Sequence, residues 1–160
     1  GLRRIACIPP LKYTTGVVGG VDFRAQAYTD TLKANGIPVN PDFFCVHTQN
    51  EQSILDDVCN MLTAYPAEER PTAFFASDDH MAAQVMQYVK KCSLRVPEDV
   101  AMVGWGNIAS SYITTPELTT IDTEIGFFAQ ELSKALIQMV NGKQPESRLY
   151  KGKLIIRGST

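Results

Sequence analysis

Apolar residues along this chain fall into short continuous runs separated by stretches with helical spacing. Ile5-Ala6-Cys7-Ile8 is one such run, ended by Pro9-Pro10; it reads as a buried strand followed by a forced break. A polar, glycine-containing loop covers Lys12 to Gly20. Phe23, Tyr28 and Leu32 then predict a helix, with Gly36 as its C-cap and Pro38 beyond the stop. Phe43-Phe44-Cys45-Val46 reads as a second strand. Ile54, Val58, Met61 and Leu62 define a helix from about Gln52 to Ala64, and Pro66 and Pro71 bracket a loop. Ala73-Phe74-Phe75-Ala76 is the third strand. It runs into Ser77-Asp78-Asp79, residues of the kind that cap helices, with Asp79 expected as the cap. Met81, Ala82, Val85, Met86 and Val89 form the next apolar stripe. Val100 to Trp105 is the fourth strand; a loop from Gly106 to Pro116 leads to a short strand at Leu118 to Ile121.

Three strand–helix alternations precede that fourth strand, and the strands are continuously apolar rather than alternating. This pattern predicts an α/β fold, a doubly wound parallel sheet covered by helices on both faces. Ligands of such sheets bind at the C-terminal strand ends. Here those ends are the loops after Ile8, Val46, Ala76 and Trp105. The last part breaks the alternation. Phe128, Leu132, Ala135, Leu136, Met139 and Val140 give an amphipathic helix stopped by Gly142, and an extended segment runs from Arg148 to Arg157.

Composition narrows the function classes. The chain has 160 residues, enough for one domain with a real core, and a net charge of −2. A nucleic-acid-binding module would be basic on one face; Lys90-Lys91 is better read as a solvated helix end. No apolar run reaches membrane-spanning length, and no signal peptide is visible. Cys7, Cys45, Cys59 and Cys92 form no Cys-x-x-Cys pair, and His47 and His80 are not spaced as ligands. Buried free thiols in a reducing cytoplasm are expected, with no metal and no cofactor. Adjacent helical residues point different ways, so Ser77-Asp78-Asp79-His80 cannot converge as a nucleophile and base. Gly16 to Gly20 lacks the Lys-Ser/Thr of a phosphate loop. An enzyme is not expected.

Several motifs in order resemble the lactose/galactose repressor (LacI/GalR) family. These are Gly1 to Ile5, Pro71-Thr72-Ala73 with Asp78-Asp79-His80-Met81-Ala82, Leu94-Arg95-Val96-Pro97-Glu98-Asp99-Val100, Val103-Gly104-Trp105, Pro116-x-Leu118-Thr119-Thr120-Ile121, and the closing Ile156-Arg157-Gly158-Ser159-Thr160. The resemblance implies a periplasmic-binding-protein-like second lobe, with a C-terminal helix and strand that would belong partly to a missing first lobe. It sets residues 1–122 as the effector-binding C-terminal lobe. Residues 123–146 become a crossover helix of the missing lobe, and 147–160 a returning segment. That helix would lose its native sheet, leaving an apolar stripe that must repack, dock or stay loosely held.

The resemblance also implies site residues. Arg24 stands where the family has an arginine that hydrogen-bonds sugar hydroxyls or a corepressor; its planar guanidinium suits that role, and a cation near a helix start is otherwise misplaced. Asp78 stands where the family often has a ligand-binding Asn, with plain capping as the alternative. Gly106 replaces the family's usual effector-binding Asp. Asn107 next to it can supply a polar group or simply make a turn. Thr123 stands for a common Gln, and Gln49 for a common aromatic. Trp105 can stack on a sugar face, although core packing is favoured there; His47 reads as a polar loop residue.

The implied function is effector sensing in a cytoplasmic DNA-binding repressor. Its partners would be a small polar effector, a sugar first of all, a second copy in a homodimer, and DNA only through a missing N-terminal helix-turn-helix. The surface around His80 to Val89 with Tyr112-Ile113 is the candidate dimer face, core packing being the other reading. A solute-binding protein of a sugar transport system, or a dimerisation lobe that has lost effector binding, are the alternatives.

Overall fold

The computed structural model describes residues 1–10, 23–45 and 50–160. Its elements are β1 (Ile5–Ile8), α1 (Phe23–Ala34), a 3-10 turn (Pro41–Phe43), α2 (Glu51–Thr63), β2 (Ala73–Ala76), α3 (Asp79–Lys91), β3 (Ala101–Gly106), α4 (Ser110–Ile113), β4 (Thr119–Asp122), α5 (Ile125–Val140) and β5 (Lys153–Ile155). The sheet order is β1-β2-β3-β4-β5. The first four strands are mutually parallel, and β5 closes the edge antiparallel to β4.

Helices cover both faces, as the apolar runs predict. On one face Ala6, Ile8, Phe74 and Met102 pack with Ile54, Val58 and Met61 of α2 and with Val85, Met86 and Val89 of α3. On the other, Cys7 packs with Tyr28 and Leu32 of α1, against Ile5, Phe44 and Phe75. Successive strand residues alternate between these two cores because side chains alternate across a pleated strand. Each fully buried Ile, Leu, Met or Phe contributes about 1.5–3 kcal/mol of apolar burial. Tyr28 donates from its hydroxyl to Ile5 O at 2.7 Å, and burial pushes its phenol up to about 12.

The expected strand at Phe43–Val46 is the main local correction. Asn40 caps a 3-10 turn, with its side chain accepting from Asp42 N. This turn carries the chain past Pro41, which donates no amide. Phe44 then makes a single parallel bridge to Cys7, and Cys45 N donates to Cys7 O at 3.0 Å. The position beside β1 is as expected, and among the described residues the pairing is that one bridge; Val46 lies outside them. Phe23 also departs from its stripe. It is 76% exposed at the first position of α1, while Tyr28 and Leu32 are buried.

The helix ends follow local chemistry. Gly36 has φ +61 after α1, and Lys90 and Lys91 lie in the last turn of α3. A capping box between Asn50 and Ser53 starts α2. Cys7 and Cys45 are buried and Cys59 and Cys92 half-buried, all as free thiols, so the expectation of buried thiols holds for the first pair only.

The C-terminal residues are laced into the sheet. Met102 N donates to Ser159 O at 2.8 Å, Ser159 Oγ donates to Met102 O at 2.6 Å, and Thr119 N donates to Ser159 Oγ at 2.8 Å. Ser159 therefore satisfies polar groups of both β3 and β4 where those strands begin. By contrast, no residue of α5 is buried. Ile125, Phe127, Phe128, Leu132, Leu136, Ile137, Met139 and Val140 are all exposed. The helix forms, but its apolar side finds no sheet.

Candidate functional site

The C-terminal ends of β1 to β4 come together on one edge of the parallel sheet, where open α/β sheets bind ligands. β2 is followed at once by Ser77 and Asp78. Asp78 has extended backbone and its Oδ1 accepts from Met81 N at 2.8 Å, so Asp78, not Asp79, caps α3. Asp79 is instead fully buried. Its Oδ1 accepts from Thr120 Oγ1 of β4, and its Oδ2 accepts from Ile108 N at 2.9 Å. One carboxylate thus ties the start of α3 to β4 and to the loop after β3. The pairing of the two aspartates is reversed from expectation because only Asp79 is carried over the sheet, where β4 and the loop offer donors. Gly104 permits that approach: a Cβ there would overlap Asp79 Oδ1 and lie 2.8 Å from Leu118 Cδ2.

Arg24 is brought to the same edge from α1. Its Nη1 donates to Ser77 O at 3.1 Å, directly beyond β2. The cation near the helix start is thus drawn toward the strand tips. Ser77 Oγ is buried without a hydrogen-bond partner among the described residues.

The tip of β3 is a tight turn. Gly106 has φ +127 and Asn107 φ 52, both in the region that favours glycine and, for the second, asparagine. A Cβ at Gly106 would have ordinary clearance, 3.5 Å from Ile108 Cγ2. Glycine is therefore demanded by the backbone angle rather than by crowding. The Asn107 side chain is engaged at both ends: Nδ2 donates to Asp122 Oδ2 at 3.1 Å, and Oδ1 accepts from Arg157 Nη2 at 2.6 Å. The turn-making reading of Gly106-Asn107 is what the backbone displays.

Trp105 is half-buried at the end of β3 and belongs to neither core cluster, against the favoured expectation of core packing. Thr123 is half-buried just after β4. Gln49 and His47, and the loop from Gly16 to Gly20, lie outside the described residues. Along the chain, no spacing pattern singled out Asp122, Thr120 or Arg157 as neighbours of this edge. Arg157 was visible only as part of the terminal motif. At the proposed dimer face, Met86 is buried in the core, whereas Tyr112 is 52% and Ile113 80% exposed. Among the described residues, no group of His, Cys, Asp and Glu is arranged to hold a metal ion, and no helix is long and apolar enough to cross a membrane.

The chain and its fold have counterparts in known proteins. The family model for a periplasmic binding protein-like domain matches residues 1–160. The chain is 30% identical to the arabinose metabolism transcriptional repressor of Geobacillus stearothermophilus, over 100% of this chain and 44% of the relative. It is 31% identical to the HTH-type transcriptional repressor CytR of Escherichia coli K12, over 100% of this chain and 46% of that protein. A solved sugar-binding transcriptional regulator of the LacI family from Escherichia coli, complexed with phosphate, superposes with a TM-score of 0.82 at 26% identity, covering 100% of this chain and 55% of the other. The chain spans about half the length of the curated relatives it matches. From the whole-length family match, the shared sheet and the ordered motifs, this chain belongs to the periplasmic binding protein-like domain family, in the branch found in LacI-family transcription regulators.

Proposed function

We propose that this chain is the effector-binding and dimerisation portion of a cytoplasmic transcription repressor that responds to a small polar molecule, a sugar first of all. The observation that carries this reading is the placement of Arg24. Its guanidinium reaches the backbone carbonyl of Ser77 just beyond β2, where a parallel sheet offers its ligand crevice. A planar set of donors suits neighbouring hydroxyls, whose oxygens accept. The buried Ser77 hydroxyl, unpartnered among the described residues, adds a polar group at the same edge. The relatives named above are repressors rather than enzymes.

In this reading residues 1–122 form the lobe that holds half of the crevice. Residues 123–146 cross into another lobe of the parent protein, and 147–160 return. The exposure of the whole apolar side of α5 supports that division. DNA is read by a helix-turn-helix elsewhere in the parent protein, and Tyr112 and Ile113 contribute to a homodimer face. An effector held between two lobes favours one arrangement only by its difference in affinity for the two.

The test is a thermal-shift panel of pentoses, hexoses and nucleosides on the full-length protein, repeated with Arg24→Ala. A hit raises the melting temperature, and Arg24→Ala removes that rise without lowering the unliganded value by more than a few degrees. A flat response across the panel sinks the effector reading and favours a lobe that only dimerises.

A further inference from the structure

Arg157 lies just beyond β5, and only 9% of its side chain is exposed. Its guanidinium works in several directions at once. Nη2 donates to Asn107 Oδ1 at 2.6 Å, and Nη1 donates to Leu118 O at 2.8 Å and to Ser111 Oγ at 3.2 Å. Nε stands 3.6 Å from Glu117 Oε2, and Cζ sits 4.2 Å from the centroid of the Tyr112 ring. Beyond Asn107 the path continues. Asn107 Nδ2 donates to Asp122 Oδ2, and Asp122 Oδ1 accepts at 2.7 Å from the amide of Glu124, the residue that opens α5.

We propose that Arg157 is a positioning residue that couples the exposed Tyr112 face to Asn107 at the β3 tip and, through Asp122, to the β4–α5 crossover. The guanidinium is a rigid plane whose donors cannot move independently. A change in the seat of Tyr112 turns that plane and with it the donor that holds Asn107. The Asn107 amide is oriented by this cation, which demands an oxygen on its own side and leaves the NH2 for Asp122. A lysine keeps the charge but offers a single ammonium, which cannot meet Asn107, Leu118 and Tyr112 in one plane. The functional consequence, that events at a dimer face reach an effector site, rests on the proposed function. The coupling itself does not.

The experiment therefore uses no effector, and its outcome stands whether or not the effector reading survives. Side-chain amide resonances of Asn107 are followed by 15N NMR in the chain and in Tyr112→Leu, with the exposed Asn60 amide as a control. Tyr112→Leu moves the Asn107 resonance and leaves Asn60 in place. In an Arg157→Lys background the same substitution no longer moves Asn107. In parallel, the unfolding equilibrium constant of the Asn107→Ala, Tyr112→Leu double variant departs from the product of the single effects by at least about threefold with Arg157 present. The departure is far smaller in the Arg157→Lys background, where the planar fork is gone. Backbone continuity through α4 also joins Asn107 to Tyr112, so the Arg157→Lys arm decides. If the Asn107 shift and the non-additivity persist undiminished in that background, the coupling does not run through the guanidinium and the proposal falls.

Discussion

Replacing Asp79 by alanine tests whether its buried carboxylate is the tie between α3, β4 and the loop after β3. The carboxylate is fully buried and accepts from Thr120 Oγ1 and Ile108 N. Truncation strands both donors, and a stranded buried donor costs about 1–3 kcal/mol. The recovered desolvation of the carboxylate offsets part of this, so the expected loss is about 3 kcal/mol, set by the two donors. In a domain of this size that lowers the melting temperature by roughly 6–12 °C. Urea unfolding followed by Trp105 emission gives the value; Trp105 is the only tryptophan in the chain. Adding Thr120→Val removes one stranded hydroxyl and should restore about a third or more of the loss, since deleting both partners is milder than deleting one. A loss below about 1 kcal/mol for Asp79→Ala, or no recovery in the double variant, refutes this account, because the hydrogen bonds would then carry little of the tie.

Gly106→Asp, which brings in the carboxylate seen at this place in the family pattern, should cost about 1–3 kcal/mol through its φ of +127, although a Cβ has clearance; equal urea midpoints would show the strain argument wrong. Phe74→Ala should cost about 3–5 kcal/mol by opening a cavity in the core that β2 shares with α2 and α3, measured by the same unfolding assay. Asp99 accepts from Arg95 Nε, Nη2 and the Arg95 amide, and these bonds hold its carboxyl well below the usual carboxylate range. A depressed folded value means that this contribution is present above the unfolded carboxylate pKa and fades as pH falls below about 4. Asp99→Asn should therefore flatten the acid limb of the stability profile; an unchanged limb would rule that out.

The strand at Ile5–Ile8 and the helices at 51–63 and 79–91 were legible because their periodicity reports burial on both faces of a sheet, and the parallel order followed from the continuous apolar runs. Phe43–Val46 misled because an apolar run does not say whether its backbone has a full-length neighbour. Beside β1, among the described residues, the segment makes a single bridge at Phe44. The Asp78–Asp79 pair was ambiguous for a similar reason: either aspartate can cap a helix, and only the packing of α3 over β2 and β3 shows which one meets Thr120.

Taken alone, then, the order of apolar runs, the glycines at tight turns and the ordered motifs determined the fold class and pointed to the C-terminal strand ends and Arg24 as the candidate site. These are local or periodic properties, written residue by residue. Which aspartate is buried, how Ser159 laces β3 to β4, and how Arg157 reaches Asn107 fifty positions away were decided only by the tertiary structure. Hydrogen bonds between distant segments depend on where the completed sheet places their donors and acceptors, and no spacing along the chain encodes that distance.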